Sequence, residues 1–237
     1  MIDGPGTAPV AVALDTADLE TALGWAAAAG PHVRAVKVGL ELYLRHGSDA
    51  VRKAREASGG RAVFLDLKLH DIPNTVAGAA RAVAELAPDY LTVHASGGSA
   101  MIRAVVDELP ATRVAGVTVL TSMSDADLDS VGIDGPADRA VLRLAALAVS
   151  AGARALVCSP HEVAAVRRAV GPDVTLITPG VRPVGADAAD QSRVATPQQA
   201  LADGADLLVV GRPITGARDP AAAAEALAAD LLGHRTG

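Results

Sequence analysis

At 237 residues, half of them apolar and a fifth charged, the chain has the size and balance of one large globular domain. A net charge of −6 excludes the basic footprint of a general nucleic-acid binder, and 2% aromatic content excludes the stacking platforms that single strands need. One cysteine, Cys158, excludes an internal disulfide, fits a reducing compartment, and sits in an apolar run that makes it a buried strand residue rather than a nucleophile.

The opening stretch MIDGPGTAPVAVALD lacks the basic start of a signal peptide, and residues 1–8 read as an extension before the first strand. The first strand, Val10–Leu14, ends at Asp15 and precedes a helix over Asp18–Ala29. Asp15 is compatible with a rim charge or with the cap of that helix. The second strand, Ala35–Val38, carries Lys37 in an apolar setting where a solvated lysine is not expected, and a helix over Ser48–Ala57 follows.

The third strand, Ala62–Leu67, runs into Asp66-Leu-Lys68-Leu-His-Asp71-Ile-Pro-Asn-Thr75, then a helix over Asn74–Glu85. Next come strand Tyr90–His94 with helix Ser99–Asp107, strand Val114–Leu120 with helix Ala137–Ser150, and strand Ala155–Cys158 with helix His161–Val170. His70 and His94 read as packed histidines. After the seventh strand, Thr175–Thr178, a polar stretch with glycines contains Arg182 and Gln191. It reads either as a mobile lid or as a plain surface loop. Helix Thr196–Asp203, strand Leu207–Val210 with Gly211-Arg212, and helix Pro220–Leu232 complete the series, leaving 233–237 as a tail. The last helix is the most apolar, but Glu225 and Asp230 interrupt it, so no bilayer span is expected and the protein reads as soluble and cytoplasmic.

Strand–helix alternation implies a parallel sheet with helical crossovers. Eight units, one domain over 9–232, fit a closed (β/α)₈ TIM barrel, while alternation alone also permits an open doubly wound sheet. Polar residues gather at the C-terminal strand ends: Asp15, Lys37, Asp66 with Lys68, His94, Thr121 and Arg212. The opposite ends carry fewer. In a barrel those C-terminal ends share one rim, where catalytic groups sit, and this favours the barrel.

Along a strand the side-chain period is two, so Asp66 and Lys68 should face the same side. Carboxylates on both sides of a lysine favour its ammonium form. An ammonium held this way suits proton donation to a developing carbanion and disfavours Schiff-base chemistry, which needs the free amine. The bland alternative is a strand-end salt-bridge network. Lys37 and Asp15 on adjacent strands tip the balance toward a site, because together they offer a sugar-sized set of polar groups.

With these residues in view, the chain resembles the orotidine 5′-phosphate decarboxylase family over nearly its whole length, from Val-Ala-Leu-Asp15 to Val-Gly211-Arg212-Pro-Ile214. Asp66-x-Lys68-x-x-Asp71-Ile-Pro-x-Thr75 is the family's signature. The resemblance implies decarboxylation of orotidine 5′-monophosphate to UMP, the last step of de novo UMP synthesis, without metal or cofactor. Lys68 would then be the proton donor at pyrimidine C6, with Asp66, Asp71 and Lys37 completing a charged network. It further implies that Asp15 and Lys37 bind the ribose, Thr121 or Ser124 the base, and Arg182, Gln191, Gly211 and Arg212 the phosphate. Asp71 and Thr75 would reach into the site of a neighbouring subunit, which implies a homodimer. Two rivals remain: a Mg²⁺-dependent hexulose-phosphate synthase, which shares D-x-K-x-x-D, and a silent nucleotide-binding barrel.

Overall fold

The computed structural model describes residues 6–181 and 195–233. Eight strands close into a parallel barrel in sequence order: β1 Ala8–Ala13, β2 Val33–Gly39, β3 Ala62–Leu69, β4 Tyr90–His94, β5 Arg113–Val117, β6 Ala155–Val157, β7 Thr175–Thr178 and β8 Leu207–Val210. The open-sheet alternative is thereby excluded, because β1 pairs with both β2 and β8. Around the barrel lie α1 Leu19–Ala29, α2 Leu40–Ala57, α3 Pro73–Ala84, α4 Gly98–Glu108, the short α5 Asp125–Ser130, α6 Ala137–Ser150, α7 Val163–Val170, α8 Pro197–Ala202, the one-turn α9 Arg212–Thr215 and α10 Pro220–Gly233. Among the described residues no helix is long and apolar enough to cross a membrane.

Two packing regions follow from strand parity. Outward residues such as Val10, Val12, Val36, Val63, Leu65, Leu91 and Val93 join the apolar faces of the helices. Inside the barrel, one side chain from each strand forms a buried plug: Ala11, Ala35, Phe64, Tyr90, Ala115, Ala155, Ile177 and Leu207. The scarce aromatics are concentrated here, with Phe64 and Tyr90 edge to face at 5.9 Å, and the four alanines make room for them. Two residues further along β2, β3 and β4, the plug gives way to the buried polar residues Lys37, Asp66 and Thr92. The plug therefore forms the floor of the site.

Several boundaries differ from the expected ones. β1 begins at Ala8, two residues before the expected Val10. The β-rich run leaves the sheet after Thr118, whose N–H and hydroxyl both donate to the Val157 carbonyl at the end of β6, at 3.2 and 3.0 Å. Helix α2 starts eight residues early, at Leu40, and is broken at Gly47, whose φ of 58° suits glycine. Its first turns were illegible because Leu40 and Leu44 face outward, 44% and 78% exposed, and so break the core-facing period. The opposite rim is not poor in charge either. There Asp89 and Asp206 accept the Val63 and Leu176 N–H groups at 2.7 Å, and Arg154 donates to the carbonyls of Pro110 and Thr112. Those charges are engaged with backbone and close the barrel floor.

Candidate active site

Asp66 is the hub of the polar layer. It is 8% exposed, and each of its carboxylate oxygens lies 2.8 Å from Lys68 Nζ. Lys37 Nζ stands 3.5 Å from Oδ2 and is itself hydrogen-bonded to Asp15 Oδ1 at 2.9 Å. The Thr92 hydroxyl donates to Asp66 Oδ1 at 2.9 Å. Charges thus alternate along Asp15, Lys37, Asp66 and Lys68. Burial raises the Asp66 pKa, but the Lys37 and Lys68 charges and the hydrogen bonds from Lys68 and Thr92 outweigh it and hold the carboxyl below its ordinary value.

The pairing of Asp66 with Lys68 rests on more than pleat parity. Between the pairs Leu65–Leu91 and Leu69–Val93, the three residues Asp66, Leu67 and Lys68 stand opposite Thr92 alone. This bulge turns Lys68 into the left-handed region at φ 49°, a conformation costly for a residue with a Cβ. Its backbone N–H is donated to Thr92 Oγ1 at 2.8 Å.

A cavity of about 620 Å³ opens above this layer. Asp15, Lys37, Asp66 and Lys68 line one side; Thr121, Gly180, Gly211 and Arg212 line others. Asp15 is not a helix cap, since Asp18 accepts the Thr21 N–H and caps α1. Of the two base-contact candidates, Thr121 lines the cavity, whereas the Ser124 hydroxyl is engaged with Asp127 in the cap of α5. Cys158 also borders the cavity, one residue past β6, and is 1% exposed. Burial, with Glu162 adding to it, pushes its thiol up to about 12, which suits packing and not nucleophilic work.

Asp71 and Thr75 are not in this constellation. Both are exposed, and Asp71 Oδ1 accepts the Ile72 N–H at 2.7 Å. Among the described residues Asp71 pairs with neither lysine, so the expected Asp66–Lys68–Asp71 alternation is absent within one chain. Arg182 and Gln191 lie outside the described residues.

Comparison with known proteins decides the family. The model of the orotidine 5′-phosphate decarboxylase / HUMPS family matches residues 8–227. A protein of Thermobifida fusca named orotidine 5′-phosphate decarboxylase is 68% identical over 227 residues, spanning 94% of this chain and 96% of its own. One of Frankia casuarinae with the same name is 56% identical, spanning 95% and 88%. This chain belongs to the orotidine 5′-phosphate decarboxylase / HUMPS family. In structure it is similar to the crystal structure of orotidine 5′-phosphate decarboxylase from Lactobacillus acidophilus, with a TM-score of 0.81 and 40% identity over 94% of this chain and 98% of that one.

Two residues of this family member's site escaped sequence reasoning. Thr92 lies within the expected strand Tyr90–His94 and was not singled out there. Gly39 looked like a strand end. A Cβ there would fall 2.7 Å from Asp15 Oδ1 and 3.0 Å from Lys37 Nζ, so the Asp15–Lys37 pair depends on its absence. His70 and His94 lie ring against ring at 5.2 Å, and neither lines the cavity; His94 is half-buried, whereas His70 is exposed and so is not the packed histidine expected.

Burial, reinforced by His70 and Lys68 and opposed by Asp66, holds the His94 pKa below its ordinary value. A group depressed in the fold stabilises it above the unfolded pKa and loses that contribution as pH falls through the folded one. His94 should therefore begin to cost stability below about pH 6.5, and Asp66 only below about pH 3.9. A melting-temperature profile should fall first in the His94 window, and His94→Gln should remove that first fall. Identical profiles for the two proteins would refute the assignment.

Proposed function

We propose that the protein decarboxylates orotidine 5′-monophosphate to uridine 5′-monophosphate and CO₂, in UMP synthesis, with Lys68 as the proton donor to C6. The observation that carries this reading is the Lys68 ammonium on both oxygens of buried Asp66, at the wall of a nucleotide-sized cavity. The C6–carboxylate bond breaks, CO₂ departs, and the electron pair stays on C6. Lys68, already fixed, stabilises that charge and then delivers its proton to C6; solvent reprotonates the amine. Because the donor is oriented before substrate arrives, little reorganisation is needed as charge develops.

The remaining roles are assigned from the family resemblance, and for the residues that line the cavity their place there supports the assignment. Asp15 and Lys37 are assigned to the ribose hydroxyls, Thr121 to the base, and Gly211 and Arg212 to the phosphate; Arg182 and Gln191 are assigned to the phosphate on the resemblance alone. Arg212 offers forked donors that suit phosphate. Binding energy from the phosphate, remote from the reacting carbon, is available to stabilise the transition state.

We further infer a cytoplasmic homodimer in which Asp71 and Thr75 complete the partner's site. What supports the dimer is the exposed segment around these residues, with Ile72 66% exposed. Asp71 would then bring a second carboxylate to Lys68 from across the interface.

The hexulose-phosphate synthase reading needs Mg²⁺ at these carboxylates. Both Asp66 oxygens already receive ammonium or hydroxyl donors, and a dication there would meet two lysine charges. Incubating chelator-treated protein with orotidine 5′-monophosphate and following loss of the orotate absorbance tests the proposal. Undiminished turnover is expected. Chelator-sensitive turnover would contradict the metal-free mechanism, and binding without consumption would favour the silent barrel.

A further inference from the structure

We propose that Thr92 is a positioning residue for Lys68: its single hydroxyl sets the amine's geometry by holding both the Lys68 backbone and the Asp66 carboxylate. This deepens the decarboxylase reading and rests on it for its kinetic consequences.

Thr92 is fully buried, and its hydroxyl serves in both senses. It accepts the Lys68 N–H at 2.8 Å and donates to Asp66 Oδ1 at 2.9 Å. Lys68 sits at φ 49° in a bulge whose three residues face only Thr92, so the ladder alone does not fix its backbone. A left-handed conformation at a residue with a Cβ persists only where its surroundings over-determine it. The hydroxyl is the one side-chain group bonded to the Lys68 backbone among the described residues. At the same time it orients the carboxylate on which the Lys68 amine rests. Asp66 and the Lys68 backbone are thus locked to one oxygen atom, and the amine at the end of a flexible side chain inherits that reference. Thr92 touches neither the cavity nor the reacting atoms, so it acts only through Lys68 and Asp66.

Thr92→Val keeps the shape and removes the hydroxyl, leaving a buried N–H without its acceptor. We expect kcat to fall about 10- to 100-fold, the range for hydrogen bonds to charged groups, with KM nearly unchanged because no nucleotide contact is lost. The acid limb of the kcat profile should move toward neutral pH, since Asp66 loses a donor that favours its ionised form. Thr92→Ser should restore most of kcat and the profile. Native-state exchange of the Lys68 amide should speed up in Thr92→Val and stay slow in Thr92→Ser. If Thr92→Val does not fold, Thr92→Ala must show the same kinetic and exchange changes.

Wild-type kcat and pH profile in the folded Val or Ala variant would overturn the proposal. So would an equal loss in Ser and Val, which would make packing the cause. Should the wild-type protein fail to consume orotidine 5′-monophosphate, the activity reading falls. Amide exchange then still decides whether Thr92 holds Lys68.

Discussion

Lys68→Ala is expected to lower kcat by at least about 10⁴-fold while the barrel stays folded. A general acid contributes on the order of 10²–10⁴-fold and a fixed charge at the reacting centre on the order of 10²–10³-fold, and Lys68 is assigned both roles. The fold survives because Asp66 keeps two other partners, the Lys37 ammonium and the Thr92 hydroxyl, so its burial remains compensated. Product nucleotide should still bind, since the groups assigned to ribose and phosphate are untouched. Single-turnover kinetics, with circular dichroism as a check on folding, measures this. A variant that decarboxylates at the wild-type rate would exclude Lys68 as the acid.

The second large effect concerns Asp71. Alone, Asp71→Ala should cost about 10²-fold or more in kcat, because it removes a carboxylate assigned to the reacting lysine. The more discriminating experiment mixes Lys68→Ala chains with Asp71→Ala chains, each nearly inactive. If Asp71 serves the partner's site, each mixed dimer has one site with both residues intact. Random reassortment makes about half the dimers mixed, so about a quarter of the wild-type activity should return. If Asp71 serves its own chain's site, every site in the mixture carries one defect and no activity returns. The exposure of Asp71 and its lack of contact with Lys68 within one chain favour recovery.

The barrel was legible because strand–helix alternation and polar strand ends are local patterns, readable at each unit separately. Asp66 and Lys68 were legible because a two-residue spacing at a strand end brings two side chains together. What failed to show depends on pairing between distant segments. The bulge that tilts Lys68 arises from how Leu65–Leu69 pairs with Leu91–Val93, some 25 positions away, and nothing within Leu-Asp-Leu-Lys-Leu announces it. Thr92 carries its role only through that same pairing. Strand β5 ends at Val117, beside a β6 only three residues long, and a single-segment reading does not reveal where the pairing stops. Asp15 stood as a possible cap of α1 until the Thr21 N–H was seen to point at Asp18. The outward leucines of α2 hid a helix start because sequence periodicity registers core faces and misses faces that meet something else.

Holding Lys68 in a strained, bulged position has a thermodynamic side. Left-handed backbone at a residue with a Cβ costs on the order of 1–3 kcal/mol, a sum the surrounding bonds must offset. Keeping an ammonium between a buried carboxylate and an open cavity is of little use to the fold itself. It is useful to a reaction that generates negative charge at one carbon.

The most direct measurement is a crystal structure of this protein with uridine 5′-monophosphate or a C6-substituted analogue bound. The Lys68 nitrogen should lie within about 3–3.5 Å of C6, with the phosphate at Gly211 and Arg212. A nucleotide seated with C6 remote from that nitrogen, or with the amine turned out of the cavity, would contradict the account.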